Sequence, residues 1–150
     1  MNPEGADPPL IVLDTMVVVA AIMGNSQGAS ALVVRAVATG EVQLAISDDY
    51  LSELVRVMGY SHMEEEIERP VRAFETALDL GGTMGFMFHP RRLDWPSLRD
   101  PGDSWVLDLA YEAKADYIVT SDSDLYNAAP SFGFEVLSPG ELLSYRQRHE

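Results

Sequence analysis

Ala115-Asp116-Tyr117-Ile118-Val119-Thr120-Ser121-Asp122 places three consecutive apolar residues before a small polar turn that ends in a carboxylate. A short, continuous apolar run reads as a strand covered on both faces, which is the condition of a parallel sheet. Leu10-Ile11-Val12-Leu13 followed by Asp14 repeats the arrangement near the start of the chain. Residues 42–46 and 134–137 supply two more strands, and residues 84–88 a short further candidate. Between these runs the period changes. Residues 29–39 read as a helix stopped by Gly40, and Ser47, Asp48 and Asp49 open a helix whose apolar stripe is Leu51, Leu54, Val55 and Met58. Asp100-Pro101-Gly102-Asp103 starts another, carrying Val106, Leu109, Ala110 and Ala113, and residues 140–148 form a closing helix. Residues 17–23 read equally as helix or as continuation of the first strand. Strands alternating with helices predict an α/β fold, a single parallel twisted sheet with helices on both faces. The domain is expected over residues 10–150, after a flexible leader of residues 1–9 that holds three prolines.

A chain of 150 residues, 47% hydrophobic, can bury one domain's core without covalent staples. Cysteine is absent, which excludes disulfides, thiolate zinc sites and cysteine nucleophiles, so any metal must rest on oxygen or on the three histidines. No apolar run approaches the roughly 20 residues of a membrane span, and the leader lacks the order of a signal peptide. A soluble, cytoplasmic protein with no membrane partner is expected. No G-x-G-x-x-G follows the first strand, which argues against a dinucleotide site. Lys114, the only lysine, precedes a strand rather than following one, which argues against a phosphorelay receiver.

Open α/β sheets bind ligands where the strands end and the strand order reverses. Asp14 and Asp122 stand at such ends. Each acid also has a plain structural reading: Asp14 as a helix cap, Glu53 as a solvated acid beside the stripe of its helix, Asp100 and Asp103 as capping groups, and residues 120–125, with Asp124, as a polar turn. Their recurrence along one edge of the sheet is harder to explain that way. Oxygen-only ligands select hard ions such as Mg²⁺ or Mn²⁺, which polarise phosphodiesters and activate water.

The order of these motifs resembles the PIN-domain family, which includes the VapC toxins of toxin–antitoxin pairs. The resemblance rests on Val12-Leu13-Asp14-Thr15, on Ser47 through Glu53-Leu54, on Asp100-Pro101-Gly102-Asp103 with Leu107 and Ala110, on residues 115–122, and on Gly133-Phe134-Glu135-Val136-Leu137-Ser138-Pro139. It implies that Asp14, Glu53, Asp103 and Asp122 are the catalytic, metal-binding acids, with Asp100 and Asp124 as accessory ligands and Thr15 and Thr120 as supporting hydroxyls. The chain departs from the family at Met16, where Asn or Ser is usual. The implied function is a Mg²⁺- or Mn²⁺-dependent ribonuclease that cleaves single-stranded RNA by metal-activated water, as the toxin of a toxin–antitoxin pair. Alternatives are a catalytically weak module that binds a protein partner or nucleic acid, and a structure-specific DNA nuclease. The implied partners are RNA, an antitoxin protein and a second copy of the chain. Met63, Ile67, Val71 and Phe74 offer an apolar surface for such a homodimer. The net charge of -14 opposes general attraction to nucleic acid, but three of ten basic residues, Arg91, Arg92 and Arg99, gather in one loop with Trp95 and supply an expected RNA path.

Overall fold

The computed structural model describes residues 8–24, 27–59, 85–96 and 98–148. The leader, apart from Pro8 and Pro9, and the apolar surface of residues 63–74 lie outside the described residues. The elements run β1 (Leu10–Leu13), α1 (Thr15–Met23), α2 (Ala29–Ala38), β2 (Gln43–Ile46), α3 (Asp48–Gly59) and β3 (Gly85–Met87). A 3₁₀ turn (Pro101–Asp103) then leads into α4 (Ser104–Ala113), followed by β4 (Tyr117–Val119), α5 (Ser123–Ala128), a second 3₁₀ turn (Ala129–Phe132), β5 (Val136–Leu137) and α6 (Pro139–Arg148).

The five strands are parallel in the order β3-β2-β1-β4-β5. From central β1 the chain steps outward to β2 and β3, then returns to the other side of β1 with β4 and β5. The strand order therefore reverses between β1 and β4. Leu13 is in register with Val119, so both strands end at one level and the residues after them leave the sheet side by side. Ile11, Val12 and Leu13 are consecutive and wholly buried, which requires cover on both faces of β1. α4 lies against β1, β2 and β4, while α1 packs with α2 and α3.

Residues 17–23 belong to a helix, resolving the ambiguity of a segment that is apolar all round. Asp14 caps it by accepting the Met16 N–H, and Gly24 ends it with an N–H to the Ala20 carbonyl at 2.9 Å. A Cβ on Gly24 would lie 2.5 Å from the same carbonyl oxygen, so the closing turn needs glycine. Gly40, expected to stop α2, has φ +79° just beyond it. The candidate strand at residues 84–88 forms a ladder over Gly85–Met87, and that at residues 134–137 only over Val136–Leu137.

Tyr50 is fully buried on α3 and meets Trp105 of α4 edge to face at 5.6 Å. Its hydroxyl has no hydrogen-bond partner among the described residues. A buried polar group without a partner is a cost, so Tyr50→Phe should leave stability unchanged or raise it by up to about 1 kcal/mol in urea unfolding. A loss of that size instead would mean that the hydroxyl is held by a group that only the protein in solution contains.

Candidate functional site

The site begins at the two strand ends. Asp14 follows β1, and its N–H donates to the Val119 carbonyl at 2.9 Å, extending the β1–β4 ladder by one residue. Its carboxylate is only 8% exposed. Oδ1 accepts the Met16 N–H at 3.3 Å, and Oδ2 accepts the hydroxyl of fully buried Thr120 at 2.7 Å. The same hydroxyl accepts the Asp122 N–H at 3.0 Å. One side chain thus ties the acid after β1 to the turn after β4. Asp122, half-buried, caps α5 by accepting the Asp124 N–H at 3.0 Å.

Asp103 reaches this place from the junction of the 3₁₀ turn and α4, and Glu53 from α3; both are half-buried. Their charges act on one another. Burial pushes the Asp103 carboxyl up to about 6, with further upward pressure from Asp100, Asp122, Asp14 and Glu53. Burial also raises the Asp14 carboxyl; the Thr120 and Met16 hydrogen bonds pull it back, while Asp122 and Glu53 push it up again. The four expected acids therefore share one electrostatic neighbourhood. Tyr50 borders it, since Asp14 adds to the burial that raises its phenol.

The supporting residues divide. Asp100 accepts the Gly102 N–H at 2.9 Å and so caps the turn that presents Asp103. Asp124 is exposed and pairs with Arg99 at 3.3 Å, which occupies the outermost accessory acid. Thr15 is buried at the first position of α1. Met16, where the sequence departs from the family's usual Asn or Ser, keeps its side chain 49% exposed and gives Asp14 only its amide.

Among the described residues, no three carboxylate or imidazole groups are grouped closely enough to hold one ion together. Mg²⁺ keeps much of its hydration and is commonly held by one or two carboxylates with water and phosphate oxygens, so this all-oxygen donor set fits a hydrated hard cation. It does not fit a tightly enclosed one. Glu53 is itself engaged: Arg56, three residues on, donates Nε to Oε2 at 2.9 Å and Nη2 to Oε1.

Arg91 and Arg92 are exposed on the loop before α4. Trp95, expected on an RNA path, is half-buried. Its ring packs on Phe132 at 5.4 Å and Phe134 at 5.6 Å, with Tyr111 at 6.4 Å, and its indole N–H donates to Asp108 at 2.8 Å. A ring engaged on several sides anchors the loop. Asp108, 5% exposed, also accepts the Leu93 N–H at 3.0 Å. The sequence reading passed over Asp108 and Arg56. Asp108 had a signal, an acid inside the apolar run Val106-Leu107-Asp108-Leu109-Ala110; Arg56 had one in its spacing from Glu53. A cleft of about 410 Å³ beside the acids is bordered by Glu53, Arg56, Arg92, Trp105 and Asp108.

The sequence matches the family model for the PIN domain over residues 10–124. No curated protein matches it. Among solved structures, a domain of a functionally unknown protein from Methanocaldococcus jannaschii is similar with a TM-score of 0.58 and 17% identity, over 87% of this chain and 90% of that one. A chain of VapBC2 from Rickettsia felis, bound to a DNA fragment from their promoter, is similar with a TM-score of 0.50 and 17% identity, over 86% and 98%.

Asp103 carries a pH signature. Its folded-state value of about 6 lies above the ordinary 3.8, so as pH falls the native state takes up this proton before the unfolded chain does. Stability linked to Asp103 is therefore fully present below the ordinary value and is lost as pH rises through about 6. In metal-free protein, Asp103→Asn should raise stability at pH 7.5, on the order of 1 kcal/mol after allowance for solvent screening, with the gain vanishing near pH 4. Thermal melts at both pH values check it.

Proposed function

The chain belongs to the PIN-domain family, and from that premise we propose that it is a metal-dependent endoribonuclease that cleaves single-stranded RNA as the toxin of a toxin–antitoxin pair. The observation that carries this reading is the shared electrostatic field of Asp14, Glu53, Asp103 and Asp122 at the point where the strand order reverses. Asp14 and Asp122, with Asp103 and Glu53 around them, would hold Mg²⁺ or Mn²⁺ in the cytoplasm. The bound ion supplies Lewis acidity to the phosphodiester and lowers the pKa of a water. Thr120 fixes the Asp14 carboxylate and the Asp122 backbone relative to each other. Asp100 orients Asp103 through the turn it caps. Asp124 lies further out, held by Arg99.

The likeness to the VapBC2 chain supports an antitoxin as the protein partner. The homodimer expected from Met63, Ile67, Val71 and Phe74 remains part of the proposal on sequence grounds.

The deciding experiment offers single-stranded RNA and flap-structured DNA to the protein with Mn²⁺ or with EDTA. RNA cleavage with Mn²⁺, its loss in EDTA, and near-abolition in Asp14→Asn and Asp122→Asn are expected; Thr120→Val should lose about 10- to 100-fold. Undiminished cleavage by Asp14→Asn would overturn the assignment of the site. Preference for the DNA would move the substrate class, and absence of cleavage alongside tight binding of an antitoxin would favour a binding module.

Arg91 and Arg92 are exposed cations on the loop that leads to Asp100 and Asp103, and they suit phosphate oxygens that the acids repel. Neutralising both to Gln should weaken RNA binding and reduce the salt slope by roughly 1.4, about 0.7 per lost phosphate contact on a single strand. Mn²⁺ affinity should stay near that of the parent protein. An unchanged salt slope would place the RNA path elsewhere.

A further inference from the structure

Asp108 is a charge that the fold buries without a counter-ion. It is 5% exposed, and no cation pairs with it among the described residues. Acids so deeply buried are normally paired. Its two oxygens are used unequally. Oδ1 accepts both the Leu93 N–H at 3.0 Å and the Trp95 indole N–H at 2.8 Å, which fixes the plane of the carboxylate. Oδ2 accepts nothing among the described residues, yet it is not sealed from solvent. Asp108 borders the cleft of about 410 Å³, so that oxygen is open on the cleft side. The wall around it comes from spacing on one helix. Ser104 and Trp105 precede Asp108 by four and three residues, which places all three on one face of α4, and all three border the cleft. Leu93 and half-buried Trp105 make part of the lining apolar, and exposed Arg92 borders it as well. Glu53 lines the same cleft and presses electrostatically on Asp14 and Asp103, so the cleft adjoins the acids. A concave space of that volume, with apolar walls and one directed polar group, has the make-up of a small-ligand pocket.

We propose that the cleft receives one base of the polynucleotide and that Asp108 selects a base carrying an exocyclic amino group, whose N–H donates to Oδ2. The inference rests on the ribonuclease reading above and adds to it a specificity-determining residue. An ionised carboxylate accepts and never donates, so it favours a base edge that offers N–H. Cytosine presents its amino group. Uracil has the same shape but puts a carbonyl there, and its imide N–H is flanked by two carbonyls that the carboxylate repels. A wrong base also covers Oδ2 without replacing its water, which widens the discrimination beyond that of an exposed hydrogen bond. Trp105 gives the base a ring surface to lie against, and Arg92 offers the adjoining phosphate a forked donor.

The test gives the full chain, with Mn²⁺, three uridine oligonucleotides that differ at one central base: uracil, cytosine, or the cytosine analogue with hydrogen in place of the amino group. The parent protein should cleave the cytosine strand with a kcat/KM roughly ten- to hundredfold above that for the other two, the range of a hydrogen bond to a charged group. Asp108→Asn keeps an oxygen for Leu93 and Trp95 and turns an N–H towards the open position, so its preference should reverse to uracil. An Asp108 that only anchored the loop would change all three rates together. Equal rates for the parent on cytosine and uracil overturn this inference alone, and so does an Asp108→Asn protein that still prefers cytosine. If Asp108→Asn does not fold, the parent decides through the analogue, whose cleavage as fast as the cytosine strand overturns the role of the amino group. If the parent cleaves no strand, the ribonuclease reading falls, and equilibrium binding of the same three strands tests the pocket: equal affinities overturn this inference too.

Discussion

A single buried hydroxyl holds the two halves of the site together. Thr120 donates to the Asp14 carboxylate and accepts from the Asp122 amide, with no exposure to solvent. A carboxylate as buried as Asp14 is costly without compensation, and its hydrogen bonds come from this hydroxyl and from the first turn of α1. The register of β1 against β4 decides whether the hydroxyl can reach. A slip of one residue would turn Thr120 to the opposite face of the sheet and leave Asp14 without its shorter bond. The wholly apolar β1 residues Ile11, Val12 and Leu13 make such a slip expensive, because their neighbours on both faces are packed. Core packing thus fixes the position of a polar contact, and the polar contact fixes the acids.

Those acids are a stability burden in the protein alone. Asp103 sits among four like charges, and the chain as a whole carries -14. Such repulsion is a cost to the folded state, and the fold adds partial remedies of its own. The start of α5 receives Asp122, the turn before α4 receives Asp100, and Arg56 covers Glu53. Each remedy uses a local backbone N–H or a neighbouring side chain, so the helices that build the fold also meter the charge at its centre.

How much of this the sequence discloses depends on whether the signal is local. Asp14 and Asp122 were legible because each ends a short apolar run, and the doubly wound class followed from the alternation of such runs with helical periods. Gly40 and the Asp100-Pro101 cap were legible as turn chemistry. Residues 17–23 resisted assignment because an all-apolar segment has no period to read; the capping carboxylate of Asp14 settles it. The packing of Trp95 was not legible because its partners Phe132 and Phe134 are distant in sequence, and no local pattern reports that they meet. Phe134 was read as part of the last strand for the same reason, although the ladder there begins at Val136. Glu53 was placed beside the stripe of its helix, but the ion pair that occupies it required side-chain geometry.

The bond from Thr120 to Asp14 spans 106 residues of chain. On a ribosome adding about 5–20 residues per second, that separation is roughly 5–20 s during which Asp14 exists but its partner does not. β1 emerges early and can pair with β2, yet the edge that receives β4 stays open until residues 117–119 have been made. The acidic centre therefore cannot assemble until Thr120 and Asp122 have been made and can fold against β1. Translation order alone keeps the site incomplete through that interval.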